Sequence, residues 1–152
     1  MQTAKQKDVT IRFVSTNMSL ESRSGHQVRT LTERHICDWL VKHRTPHQHA
    51  SEVYIVRAAS NGSPSLFVPD VVLMQKTADG RTIIIESVHS FAPKRGGLKT
   101  LGAFRKQYGE HFFIIAVGKK ATLDGLPKNI ADLRIELESL DTLEKRLEKL
   151  IA

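Results

Sequence analysis

Six consecutive apolar residues, Phe112 to Val117 in HFFIIAV, constrain the chain more than any other stretch. Crossing a bilayer takes about 20 apolar residues, and a half-exposed strand or surface helix would leave part of this run in water. What remains is a strand covered on both faces, as in a sheet with helices packed above and below it. A chain of 152 residues with 40% hydrophobic content supplies one core of this kind and is short for two.

The other elements follow from apolar period and punctuation. From His26 to about His43, the residues Val28, Leu31, Ile36, Trp39 and Leu40 recur at helical spacing, and Pro46 closes the stretch. SEVYIVRA (51–58), LFVPDVVLM (66–74) and TIIIESVHSF (82–91) read as strands, LKTLGAFRKQYG (98–109) as a helix capped by Gly109, and LRIEL (133–137) as a further strand. A last helix begins near Thr142, where Asp141 and Glu144 have capping-box spacing. Its apolar stripe of Leu143, Leu147, Leu150 and Ile151 suits either this domain or a second subunit, so a homodimer is one expectation. Residues 1–24 read as a flexible arm with at most one short strand in VTIRFV, and residues 25–152 as a single domain. The order helix, three strands, helix, two strands, helix predicts an α/β fold, a mixed central sheet flanked by helices.

Charge narrows the function classes. Lysine and arginine number 23 against 16 acids, a net charge of +7 that favours a polyanionic partner. The basic residues concentrate in one region, with Lys94, Arg95, Lys99, Arg105, Lys106, Lys119 and Lys120 accompanied only by Glu110. Lys99 and Lys106 lie two turns apart on one helix face, and KRGG before that helix suits a phosphate, so the region is the candidate DNA backbone track. A lone cysteine, Cys37, excludes an internal disulfide and a cysteine-rich zinc site and fits a reducing, cytoplasmic location without a membrane span. Cys37 reads as a buried helix residue and His35 as packed on the core side of that helix. HRTPHQH, with His43, His47 and His49, lacks a cysteine or carboxylate to complete a zinc set and reads as an exposed loop.

The segment VPDVVLMQKTADGRTIIIESVHSF (68–91) carries the chemistry. If ADG is a three-residue loop with Gly80 in the left-handed conformation, Thr77 pairs with Arg81, Val72 faces Glu86 and Asp70 faces Val88. Asp70 and Glu86 then share one face as diagonal neighbours, roughly 5–8 Å apart at Cβ. Two carboxylates this close repel unless a cation lies between them, and oxygen donors suit Mg²⁺ or Mn²⁺.

Pro69-Asp70, fifteen intervening residues and then Glu86 at the end of a strand, followed by a helix and a buried strand, resemble the core of the PD-(D/E)xK nuclease superfamily. The resemblance covers residues 26–117 and implies a restriction endonuclease-like fold and Mg²⁺-dependent hydrolysis of DNA phosphodiester bonds, with Asp70 and Glu86 as catalytic metal ligands. It also implies a third metal ligand on the preceding helix, at Glu33. In place of the pattern's lysine this chain has Val88, which leaves Lys99 or Lys106 as the substitute. A catalytically inactive nuclease-fold module that binds DNA through the basic region is the alternative, and a protein-assembly subunit is a further one.

Overall fold

A computed structural model describes residues 11–12, 20–23, 25–57, 64–88 and 97–151. In chain order these form β1 (Ile11–Arg12), β2 (Leu20–Glu21), β3 (Gln27–Val28), α1 (Leu31–Lys42), β4 (His47–His49), β5 (Glu52–Arg57), β6 (Pro64–Phe67) and β7 (Val71–Lys76). There follow β8 (Thr82–Val88), α2 (Gly97–Tyr108), β9 (Phe112–Gly118), α3 (Lys120–Asp124), β10 (Leu133–Glu136) and α4 (Thr142–Ile151). A five-stranded sheet has the order β10-β9-β8-β7-β4, parallel across β10, β9 and β8 and antiparallel from β8 to β4. Strand β5 lies between β1 and β6 in a second, three-stranded sheet, and β2 pairs with β3.

The apolar run that demanded two covers receives them. On one face of the five-stranded sheet, Ile83, Ile85, Ile115 and Val117 pack with Ile36, Trp39 and Leu40 of α1 and with Leu143 and Leu147 of α4. On the other, Ile84, Ile114 and Ala116 pack with Leu101 and Phe104 of α2 and with Val56 and Phe67 of the second sheet. The α4 stripe is therefore spent inside this chain, with Leu150 and Ile151 packed at its margin. The expected mixed sheet flanked by helices is present, and none of the described helices is long and apolar enough to cross a membrane.

Several boundaries differ from the sequence expectation for identifiable reasons. Helix α1 starts at Leu31, because Thr30 is its N-cap and accepts the Glu33 N–H (3.1 Å), while Val28 belongs to β3. LFVPDVVLM is two strands in different sheets, broken at Pro69-Asp70. Asp141 makes no capping box; its Oδ1 accepts Trp39 Nε1–H at 2.9 Å and ties α4 to α1. Part of HRTPHQH is the edge strand β4, and His35 is exposed. Ile11–Arg12 and Leu20–Glu21, within the expected arm, are paired strands.

The β7–β8 hairpin begins as expected and then departs. Gly80 has φ +87°, Thr77 N–H donates to Arg81 O (2.9 Å) and Lys76 pairs with Thr82. Beyond that, the four residue steps from Lys76 to Val72 are matched by two steps from Thr82 to Ile84, an irregularity that moves Val72 opposite Ile84 rather than Glu86. An even shift keeps side-chain parity but slides Asp70 towards Glu86.

The far end of this hairpin is held against β9 by the pair Val88 and Gly118, where a Cβ on residue 118 would lie 2.4 Å from Val88 O. Gly118→Ala is therefore expected to destabilise the chain by about 1–3 kcal/mol, read as a lower urea midpoint at unchanged slope. An unchanged midpoint would contradict this strand pairing.

Candidate functional site

The irregular register makes Asp70 the neighbour of Glu86. Val71 pairs with Ile85, and one residue further the Asp70 N–H donates to Glu86 Oε1 at 2.9 Å. Asp70 Oδ2 accepts two hydrogen bonds from Ser87, from its N–H (2.8 Å) and its hydroxyl (2.9 Å), while Oδ1 contacts the Arg29 guanidinium. Asp70 stands in the three-residue interruption between β6, which ends at Phe67, and β7, which starts at Val71, and so lies beside the end of β8.

Glu33 reaches the same place from α1. Its backbone N–H is taken by the Thr30 cap, and its Oε2 accepts the Arg29 N–H at 3.2 Å and lies 3.8 Å from Arg29 Nε. Oε1 lies 3.1 Å from His49 Nδ1, and the side chain is wholly buried. The sequence-predicted trio of Glu33, Asp70 and Glu86 is thus assembled, but the basic group among them is Arg29, which sequence reasoning missed. With the helix expected from His26, Arg29 fell inside it; the Thr30 cap places Arg29 before the first turn, where its side chain turns to Asp70.

The electrostatics are unbalanced. Burial and the Asp70 charge push Glu86 well above the ordinary carboxylate range. Burial also raises Asp70, the Arg29 guanidinium opposes that rise, and Glu33 adds to it. The Arg29 guanidinium is shared among three carboxylates, Glu33 and Glu86 buried and Asp70 half-buried, and the His49 imidazole faces Glu33, so it is the Asp70–Glu86 pair that favours either a shared proton or another cation. Its donors are all oxygen, the set that fits a hard divalent ion such as Mg²⁺ or Mn²⁺.

Val88, at the position where the resemblance asks for lysine, ends β8 opposite Gly118 and packs against apolar residues on the α2 face. Lys99 and Lys106 are exposed on α2. That helix ends at Tyr108, just before β9 starts opposite Thr82, so Lys106 stands at the end of the sheet away from Glu86, roughly 13 Å of strand distant. Arg105 is committed to Asp132 by a two-pronged pair of 2.5 and 2.8 Å. Lys119 and Lys120 follow Gly118 and are exposed at the carboxylate end. The described members of the basic cluster are spread over both ends of the sheet, and Lys94 and Arg95 lie outside the described residues.

On the other side of Glu33 lies a group that the sequence did not reveal. His26, Cys37, His47 and His49 bring one ligand-type atom each to within 4.8 Å of one another. Cys37 on α1 supplies the sulfur that HRTPHQH lacked. Burial pushes the Cys37 thiol up, but the neighbouring His47, His49 and Ser22 outweigh it and bring it down to about 5. Burial lowers His49, but Cys37 and Glu33 outweigh it and raise it to about 9.

Compared with known proteins, the chain matches no family model, no curated protein and no solved structure.

The raised Glu86 has a consequence for stability. Between its ordinary value of 4.5 and its higher folded value, the folded chain holds a proton that the unfolded chain has released, so stability falls as pH rises through the folded value. Glu86→Gln removes that penalty while keeping an acceptor for Asp70 N–H. The metal-free variant is expected to melt above wild type at pH 8, by about 2–4 °C for each kcal/mol relieved, with the difference vanishing near pH 4.5. An equal melting temperature at both pH values would contradict the strained carboxylate.

Proposed function

We propose that this chain is a Mg²⁺- or Mn²⁺-dependent endonuclease that hydrolyses DNA phosphodiester bonds on a restriction endonuclease-like fold. The observation that carries the reading is the convergence of Glu33, Asp70 and Glu86, from three separate segments, onto one buried spot with a single guanidinium. Glu33, Asp70 and Glu86 would hold the ion. When bound, it supplies Lewis-acid stabilisation of the phosphate and a water of lowered pKa.

The chain's own residues account for the rest. Ser87 fixes Asp70 Oδ2, the Asp70 N–H fixes Glu86 Oε1, and the Thr30 cap anchors the helix turn that carries Glu33. Binding interactions already made in the resting chain need not be ordered during reaction, which is what preorganisation means energetically. Arg29, with 28% of its side chain exposed, is the group that bears the charge Val88 lacks. It pairs with Asp70 here and, being partly exposed, is the side chain at this site that could also reach a phosphate. Lys119 and Lys120, exposed at this end of the sheet, would contact the DNA backbone without reading sequence.

A second reading is favoured by Val88 together with the Arg29–Asp70 pair: a catalytically inactive module that keeps the fold and binds DNA. A nicking assay on supercoiled plasmid with Mg²⁺ or Mn²⁺ separates the two. Wild type is expected to nick and to stop on chelation, and Asp70→Ala to lose at least 100-fold in rate, in line with removal of metal-borne charge stabilisation. Salt-sensitive DNA binding with no cut product in any metal would favour the inactive module. Cutting at the wild-type rate by Asp70→Ala would overturn the site.

A further inference from the structure

The group made by His26, Cys37, His47 and His49 lies outside the carboxylate site and uses different donors. Cys37 Sγ lies 3.4 Å from His26 Nδ1 and 3.3 Å from His47 Nε2. A tetrahedral ion with sulfur at about 2.3 Å and nitrogen at about 2.0–2.1 Å spaces its ligand atoms by roughly 3.4–3.6 Å. These two edges of a coordination tetrahedron are therefore nearly in place. The three imidazoles meet edge-on, with ring centroids 4.8, 5.0 and 5.4 Å apart and interplanar angles of 84°, 61° and 71°. That arrangement points ring nitrogens at a common centre without stacking the rings.

The tautomers agree with ligation. His47 Nδ1 lies 2.8 Å from Thr45 O, so its proton sits on Nδ1 and the Nε2 lone pair faces the sulfur. His49 Nδ1 lies against Glu33 Oε1, and its Nε2 is buried with no hydrogen-bond partner. A self-contained hydrogen-bond network would leave no such nitrogen, because a buried unpaired polar atom costs about 1–3 kcal/mol. An outward nitrogen held by a carboxylate or a carbonyl, with the inward nitrogen bare, is the usual surrounding of a metal-bound histidine.

We infer that His26, Cys37, His47 and His49 form a closed, four-coordinate Zn²⁺ site with a structural role. One thiolate and three imidazoles are the donors of a borderline-soft ion, unlike the all-oxygen cluster next to it. Four protein ligands leave no open position for substrate. The ion would join three segments: the entry to β3, the middle of α1 and both inward residues of the three-residue edge strand β4. Arg44 (φ 52°) and Ala50 (φ 44°) flank β4 in the left-handed region, so this short strand is held against local backbone preference. Through His49 Nδ1–H the same ion would fix Glu33, the residue that both clusters share.

The test is titration of Zn²⁺ and of Co²⁺ into the metal-stripped full chain. Expected are one equivalent of Zn²⁺ bound below micromolar Kd, a rise in melting temperature on the order of 10 °C, and a tetrahedral Co²⁺ spectrum with a thiolate charge-transfer band. Cys37→Ser is expected to abolish the band and weaken Zn²⁺ at least 100-fold, whereas His35→Ala, on the exposed side of α1, and Glu86→Gln, in the carboxylate cluster, keep both. No uptake by wild type, or a Co²⁺ spectrum without the thiolate band, overturns the site, and the wild-type spectrum decides this even where a variant is too unstable to purify. Zn²⁺ uptake lost in Glu86→Gln but kept in Cys37→Ser would overturn it as well, by assigning the ion to the carboxylates.

Discussion

A single buried glutamate joins the two polar clusters of this protein. Glu33 stands in the first turn of α1, held there by the Thr30 cap, with Oε1 against His49 and Oε2 against Arg29. An ionised carboxylate without solvent is costly unless it is paired and hydrogen-bonded. Glu33 meets that requirement only because β4 brings His49 from the sheet edge and the turn before α1 brings Arg29. The position of α1 on the sheet, the course of the edge strand and the location of the guanidinium are thereby fixed together.

The sheet explains why the acids gather at one end. Antiparallel pairing of β7 and β8 puts the start of one beside the end of the other, and the irregular register between Lys76 and Val72 brings Asp70 beside Glu86. The apolar residues before them, Ile83, Ile84 and Ile85, are sandwiched between two helical layers, so this end of β8 cannot shift without disturbing both cores. A rigid hydrophobic frame thus forces together charges that would separate if free. Arg29 relieves the repulsion only in part, and the raised Glu86 is the remainder. A cation placed between these carboxylates would relieve the repulsion that Arg29 leaves.

Long-period features were legible in the sequence. HFFIIAV, TIIIESV and the stripe of α2 each have one satisfactory environment, and the layers follow from them. Asp70 and Glu86 were also legible, because their strand parity survives an even register shift, whereas Glu33, on a helix, was reached only through the family resemblance. Arg29 was not legible, since the start of α1 depends on a threonine cap rather than on apolar period, and moving that start by a few residues changes which side chains leave the helix. The Cys-His group was hidden for another reason: its members come from a segment before β3, a helix and an edge strand, and only the packing of α1 on the sheet makes Cys37 a neighbour of His47. The one local trace is His47-x-His49, whose strand parity places both imidazoles on one side. The described part of the basic run is divided between the two ends of the sheet, because Arg105 pairs with Asp132 and the helix carries Lys106 to the far end.

Anomalous scattering from a Mn²⁺-soaked crystal of the full chain is the most direct measurement of the central claim, that the three carboxylates jointly hold a divalent cation. Expected is a peak about 2 Å from oxygens of Glu33, Asp70 and Glu86, with the Arg29 guanidinium withdrawn from Asp70. A crystal with no peak there and Arg29 still on Asp70 at saturating Mn²⁺ would contradict it, and would leave the cluster as an internal ion-pair network.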